Sequence, residues 1–361
     1  MKVTVMGGGN GCFAAVAQLS ENGHDVCWWR RDGAAHQAVA DAGGFEVRDR
    51  HGARHVPFTR LSADLEAAVG HGQLIVIPLP ATTHADLAPR VAPFLKSGQV
   101  VLLCPGTFGS YLFAQQLHRV RPGAEVCFAE TGTLPYLARK HGATQLVISG
   151  YATRLPTGVF PAANTGYAIS VLEQAYPAVE RCEDALSGAL MNAGPIIHPP
   201  LILMNAGPLE HFPSWDIHNE GTQPSVRQVT DRLDDERIGL REALGYGPPH
   251  FPLRDHYSVD GDEWMYGYAA HDELVDSGDW REHIDLRAHR YMTEDTALGL
   301  SFLSSAGRWA QQPMPLTDGL LAVGSAIMGT DLYANGRTLE NIGLSALPRE
   351  RLVERLAHGL G

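Results

Sequence analysis

The pentapeptide Gly7–Gly11, GGGNG, follows directly on the β-branched run Lys2–Met6 and precedes the helical pattern Cys12–Glu21. Strand, glycine turn and helix in immediate succession leave the start of the chain few architectures to choose from. Gly7 permits so tight a turn, while Gly9 leaves the backbone bare where a ligand must come close. The first N–H groups of the following helix have no intrahelical acceptor, and with the helix dipole they favour an anion. A pyrophosphate meets that requirement, which makes Gly7, Gly9, Asn10, Gly11 and Cys12 candidates for dinucleotide binding. Read as G-x-G-x-x-G, the pattern has Cys12 in place of its third glycine, and the extra Cβ is expected to loosen the helix–strand fit slightly.

The second strand, His24–Trp29, runs into Arg30-Arg31-Asp32. An acid about 20 residues after the glycines holds the ribose hydroxyls of NAD, whereas arginines suit the 2′-phosphate of NADP. Arg30 and Arg31 arrive first, so NADP is favoured over NAD, with Asp32 keeping NAD open. Further strands are expected at Gln73–Pro80, Gln99–Leu103, Glu125–Glu130 and Gln145–Gly150, alternating with helical stretches. That order predicts a Rossmann-type, doubly wound parallel sheet covered on both faces. Ligands lie beyond the carboxyl ends of such strands, where Pro80-Ala81-Thr82, Pro105-Gly106-Thr107 and Glu130–Thr133 would line the nicotinamide side.

From about Thr165 the pattern becomes helical, with long periodicities at Tyr167–Tyr176, Val226–Leu244, Thr296–Gln311 and Arg349–His358. The reading is therefore α/β followed by α: a nucleotide-binding domain over 1–185 and an all-helical catalytic domain over 186–361. A formal net charge of −12 argues against nucleic acid and anionic membranes as partners. No apolar run approaches the ~20 residues that span a bilayer, and the N-terminus does not look like a signal peptide. Five scattered cysteines without a C-x-x-C pair read as reduced thiols in the cytoplasm, with no metal site. Lysine occurs only at Lys2, Lys96 and Lys140, so a reduction mechanism here has to work without a catalytic lysine.

The helical half contains MNAGPIIHPPLILMNAG (Met191–Gly207), where the imidazole of His198 sits in an apolar run ahead of two prolines. A residue before proline is pushed away from helical geometry, so a helix through Met191–Ile197 is expected to stop or kink at His198. A core histidine bonded to a carbonyl is the default for a lone histidine; Asn192 and Asn205, amides in the same apolar segment that need partners of their own, shift that reading. Remote in sequence is Arg290–Asp295, RYMTED. Thr293 is expected to cap the next helix and put Glu294 and Asp295 in its first turn. Acids complementing a helix start explain this without chemistry, and the catalytic reading stands beside it. Trp264, in the aromatic stretch Tyr257–Tyr268, lines either a donor pocket or, more simply, a core.

These segments resemble the octopine/nopaline dehydrogenase family. The resemblance runs through GGGNG, AETGTLPYLAR (Ala129–Arg139), GVFPA (Gly158–Ala162), NAGPIIHPPLILMNAG, RYMTEDTALGL (Arg290–Leu300) and the tail MPLTDGLL…GRTLENIGL. It implies an NAD(P)-dependent oxidoreductase acting on CH–NH, which condenses a 2-oxo acid such as pyruvate with an amino acid's amino group and reduces the imine. The family's catalytic histidine falls on His198 and its aspartate partner on Asp295. The arginine that grips the oxo-acid carboxylate falls on Arg290, and Glu130, Thr131 and Asn192 join as substrate-binding candidates. The chemistry agrees: an imine accepts hydride readily once protonated, a histidine titrates near neutrality, and an ionised Asp295 at a helix start would favour the imidazolium. A specialised imine or carbonyl reductase on the same scaffold and a non-catalytic NADP-binding regulator remain as alternatives. Partners are then small molecules, with a homodimer left open.

Overall fold

The computed structural model describes residues 1–32, 34–268 and 270–360. Its strands are β1 (Lys2–Met6), β2 (Asp25–Trp29), β3 (Gly44–Asp49), β4 (Gly52–Pro57), β5 (Arg60–Ser62), β6 (Leu74–Ile77), β7 (Val100–Leu103), β8 (Cys127–Thr131), β9 (Tyr136–Lys140), β10 (Gln145–Tyr151), β11 (Leu155–Phe160) and β12 (Val179–Arg181). Eight of them form one sheet in the order β12-β11-β8-β7-β6-β1-β2-β5. Its central strands LIVI and VVLL are buried throughout, as strands covered on both faces must be. Strand order reverses between β1 and β6, and the glycine turn leaves β1 at that switch point.

Two departures from the expected sheet have plain causes. β11 runs antiparallel to β8, and β12 follows β11, so the β12-β11 edge opposes the parallel body of the sheet. Gln145–Gly150 is a strand, but as part of β10 it belongs to a separate four-stranded sheet, β4-β3-β10-β9. Alternation along a strand says which residues are inward, not which strand is adjacent. This second sheet packs on the helix Asn10–Glu21 through a ring cluster: Phe13 lies 5.0 Å from Trp28 and 5.3 Å from Phe45, and Trp28 lies 5.6 Å from Phe45.

The chain forms two compact units, one of Met1–Leu79, Thr83–Ala189 and Glu354–Gly361, the other of Pro80–Thr82 and Leu190–Val353. The last helix, Arg349–His358, ends on the first unit, where Arg355 Nη1 donates to the Tyr111 hydroxyl at 3.3 Å. The second unit is helical; among its described residues the only β feature is an isolated bridge, Trp215 with Glu282. Its long helix, Pro224–Leu244, carries the buried pair Asp234 and Arg237 at 2.6 Å. Arg237 also donates to the carbonyls of Leu190 and His250, and Asp234 accepts from Leu253 N, so both charges are satisfied. Trp264 is 3% exposed and belongs to this core. Among the described residues no helix is long and apolar enough to cross a membrane, and all five cysteines are buried thiols without disulfides.

Candidate active site

In the first unit, Gly7 takes φ +117, and a Cβ there would strike the Leu79 side chain. Its N–H donates to Trp29 O at 2.9 Å and its carbonyl accepts from Trp28 Nε1 at 2.6 Å, which pins the turn to β2. Gly9 faces open space and is the N-cap of the helix Asn10–Glu21 without any side-chain cap. A bare, uncapped helix start after a positive-φ glycine fits a dinucleotide phosphate, with Gly9, Asn10 and Gly11 able to hold it. Cys12 takes a different part. Its N–H bonds Gly9 O, its thiol bonds Met6 O at 3.3 Å, and burial raises its pKa to about 12. The cysteine that replaces a third glycine thus sits beneath the turn as a packing residue, its Cβ accommodated by the core. Arg30 is half-buried, with its guanidinium lying against Gly8, whereas Arg31 and Asp32 are exposed.

Glu130 and Thr131, at the end of β8, are fully buried. Glu130 accepts from Phe108 N at 2.7 Å, from Ser110 N at 3.3 Å and from the Ser110 hydroxyl. It thereby braces the turn in which Thr107 and Phe108 adopt positive φ, ahead of the helix Gly109–Val120. Thr131 Oγ1 donates to Thr133 O at 2.6 Å. The amino-donor contacts expected of these two are corrected accordingly: both side chains are committed to holding loops.

The second unit brings His198, Asp295, Asn192 and Gly194 together. The helix does not stop at His198. A continuous helix runs Gly194–Met204 with Pro199 and Pro200 inside it. Proline removes donors to the carbonyls four residues back, but both rings are buried, and tight packing holds the segment helical where isolated preference would not. Asn192 Oδ1 accepts from Gly194 N at 3.0 Å, bracing the helix start. Asn205 is satisfied by Leu201 O, Gly221 O and Trp215 Nε1.

His198 Nδ1 lies 2.8 Å from Asp295 Oδ2, with side chains 13% and 7% exposed. Tyr291 stacks on the imidazole at 3.8 Å between ring centroids and 21° between planes, an arrangement that favours the imidazolium. A Cβ on Gly194 would collide with Asp295 Oδ1, so the absence of a side chain there admits the carboxylate.

The helix carrying Asp295 starts earlier than expected. Arg290 is its N-cap and Tyr291–Leu300 is a π-helix, with Thr293 already inside it. Asp295 is therefore beyond the strongest reach of the dipole, and burial dominates, raising its carboxyl to about 7 against the opposing charge of Arg290. The expectation of an Asp295 held ionised by the helix start is corrected: burial keeps its carboxyl protonated to a higher pH than an ordinary carboxylate. Glu294 is also raised to about 7, by burial and then by Asp295. Its Oε1 accepts from Ala81 N at 2.7 Å, and Arg337 Nη2 donates to Ala81 O at 2.8 Å. Pro80, named for the cofactor, opens that clamped segment. Arg290 is exposed, with its guanidinium 5.6 Å from the Tyr291 ring centroid. Tyr291 and Arg337 were not singled out by the sequence, although they lie inside RYMTED and GRTLENIGL.

Comparison with known proteins finds similar sequences and similar folds. Residues 181–328 match the family described as NAD/NADP octopine/nopaline dehydrogenase, alpha-helical domain. The chain is 29% identical over 357 residues to an opine dehydrogenase of Arthrobacter sp. (strain 1C), covering 95% of each. It is 24% identical over 306 residues to a vitopine synthase of Allorhizobium ampelinum, covering 82% of this chain and 81% of that one. In fold it is similar to octopine dehydrogenase in complex with NADH and agmatine, with TM-score 0.75 and 16% identity over 100% of this chain and 98% of that one. It is likewise similar to NADP+-bound yersinopine dehydrogenase, with TM-score 0.67 and 15% identity over 99% and 98%.

Proposed function

We propose that this chain, an NAD(P)-dependent oxidoreductase acting on CH–NH whose residues 181–328 match the octopine/nopaline dehydrogenase family, condenses a 2-oxo acid with the amino group of an amino acid and reduces the imine. The observation that carries this reading is the His198–Asp295 contact at 2.8 Å under a stacked tyrosine. With Nδ1 committed to Asp295, the proton passed to the imine nitrogen leaves from Nε2. Asp295 fixes the ring's tautomer and offsets the imidazolium charge as it forms, and Tyr291 holds the ring plane. Arg290 grips the oxo-acid carboxylate through paired N–H donors, which orients the imine carbon. Asn192 supports the helix start that presents His198. When bound, NAD(P)H supplies the hydride. We take residues 1–185 as the nucleotide-binding domain, 186–361 as the catalytic domain, NADP(H) as the preferred cofactor and the cytoplasm as the compartment. Arg30 against the glycine turn supports the cofactor choice, and five reduced thiols support the compartment.

A matrix of 2-oxo acids against amino acids, with NADPH or NADH oxidation followed by absorbance, tests the proposal. Oxidation is expected only when both substrates are present. His198→Asn is expected to lower kcat by about 10²–10⁴-fold, the range for a lost general acid, while nucleotide affinity stays unchanged. Turnover with ketones or preformed cyclic imines alone would favour a specialised reductase. Nucleotide binding without any turnover would favour a regulator.

A further inference from the structure

The glycine turn has a second cation beside it that the ribose rule does not anticipate. Lys140, the last residue of β9, comes from the four-stranded sheet, not from the sheet that carries the turn. Its Nζ donates to Gly8 O at 3.2 Å and lies 4.2 Å from the Phe13 ring centroid, and its backbone N–H donates to Asn10 Oδ1 at 3.1 Å. Arg30 approaches the same glycine from β2: a Cβ on Gly8 would fall 2.5 Å from the Arg30 Cζ and Nε atoms. Two positive side chains from different sheets therefore converge on one residue of the turn.

Two cations held this close repel each other, and a bound anion would relieve that repulsion. Burial and then the charge of Arg30 both lower the proton affinity of Lys140. Among the described residues no carboxylate pairs with Lys140. The chain has three lysines in all, and one of them is half-buried here, against an arginine. The pyrophosphate has its own donors in the uncapped helix start at Gly9–Gly11, on the open side of the turn. The cation pair instead lies with the end of β2, the position that meets the adenosine ribose in this fold.

We propose that Lys140 and Arg30 together form the clamp for the 2′-phosphate of NADP(H), with Lys140 setting the preference over NAD(H). This rests on the cofactor reading above and goes beyond it by naming a residue outside the β2 turn. Lysine acts here as a point charge, and Arg30 supplies directional donors. The Phe13 ring under Nζ and the Gly8 carbonyl hold the ammonium in place before the phosphate arrives, so little ordering is lost on binding.

Equilibrium titrations of wild type, Lys140→Met and Lys140→Arg with NADPH and NADH test this, alongside calorimetry with adenosine 2′,5′-bisphosphate and 5′-AMP. Lys140→Met is expected to weaken NADPH and the bisphosphate about tenfold or more, the loss of one charge-assisted contact. NADH and 5′-AMP should change by less than about twofold, and Lys140→Arg should restore most of the discrimination. The wild-type preference should shrink as salt is raised, because the site is partly open to water. Equal losses for both nucleotides would overturn the assignment and point to the pyrophosphate or to a role in folding. Unchanged NADPH affinity in Lys140→Met would overturn it outright. A wild type that binds neither nucleotide refutes the cofactor reading itself, an outcome distinct from a wild type that binds NADPH but ignores the substitution.

Discussion

Replacing Glu294 by glutamine should change how stability depends on pH, and the size of the change follows from the surroundings of the carboxyl. Glu294 is 4% exposed; Oε1 accepts from Ala81 N at 2.7 Å, and Oε2 is buried with no hydrogen-bond partner. Burial, then the charge of Asp295, raises its pKa from 4.5 to about 7, over the opposing effects of Arg290, the Ala81 N–H and Arg337. The folded state thus holds this proton more tightly than the unfolded chain does. Its contribution to stability is complete below about pH 4.5 and is lost as pH rises through about 7. That rise in proton affinity corresponds to roughly 3 kcal/mol at alkaline pH. Glutamine keeps an oxygen for Ala81 and removes the titration, but its amide N–H₂ lacks a partner, at a pH-independent cost of about 1–3 kcal/mol. The readout is therefore the slope and not the offset. Urea unfolding of both proteins from pH 5 to 8.5, in the transition that reports the helical unit, should show the glutamine variant gaining roughly 2–3 kcal/mol relative to wild type as pH rises. A constant offset across that range would refute a buried, proton-binding Glu294.

Gly194→Ala should place a methyl group on Asp295 Oδ1 and lower kcat about tenfold or more while NADPH affinity holds, as steady-state kinetics and ligand titration would show. Arg237→Ala strands the 1%-exposed Asp234 carboxylate and should cost about 3–5 kcal/mol in denaturant unfolding, whereas replacing both partners by apolar residues should cost much less.

The fold was legible where local chemistry and global packing agree. Positive-φ glycine between a β-branched run and an uncapped helix has one efficient use, and β1, the turn and the helix Asn10–Glu21 are where the pattern puts them. The four-stranded sheet was not legible, because its two local hairpins, β3-β4 and β9-β10, join only through β3 and β10, about a hundred residues apart in the chain, and nothing local specifies that pairing. His198 and Asp295 were named from their motifs, 97 residues apart, but the helix expected to break between Ile197 and Pro199 continues.

What the sequence settled alone is the inventory: which groups titrate near neutrality, which turn admits a phosphate, and that lysine is absent from the helical half. Tertiary structure decided their states. Glu130, which looked available to a substrate, is used up bracing Thr107 and Phe108, and Asp295, expected to stay ionised, is raised to about 7. Lys140, assigned no role from sequence alone, lies against Gly8. The physical reason is common to all three. Side-chain type is a local property, whereas burial, neighbouring charge and hydrogen-bond satisfaction exist only once distant segments have packed together.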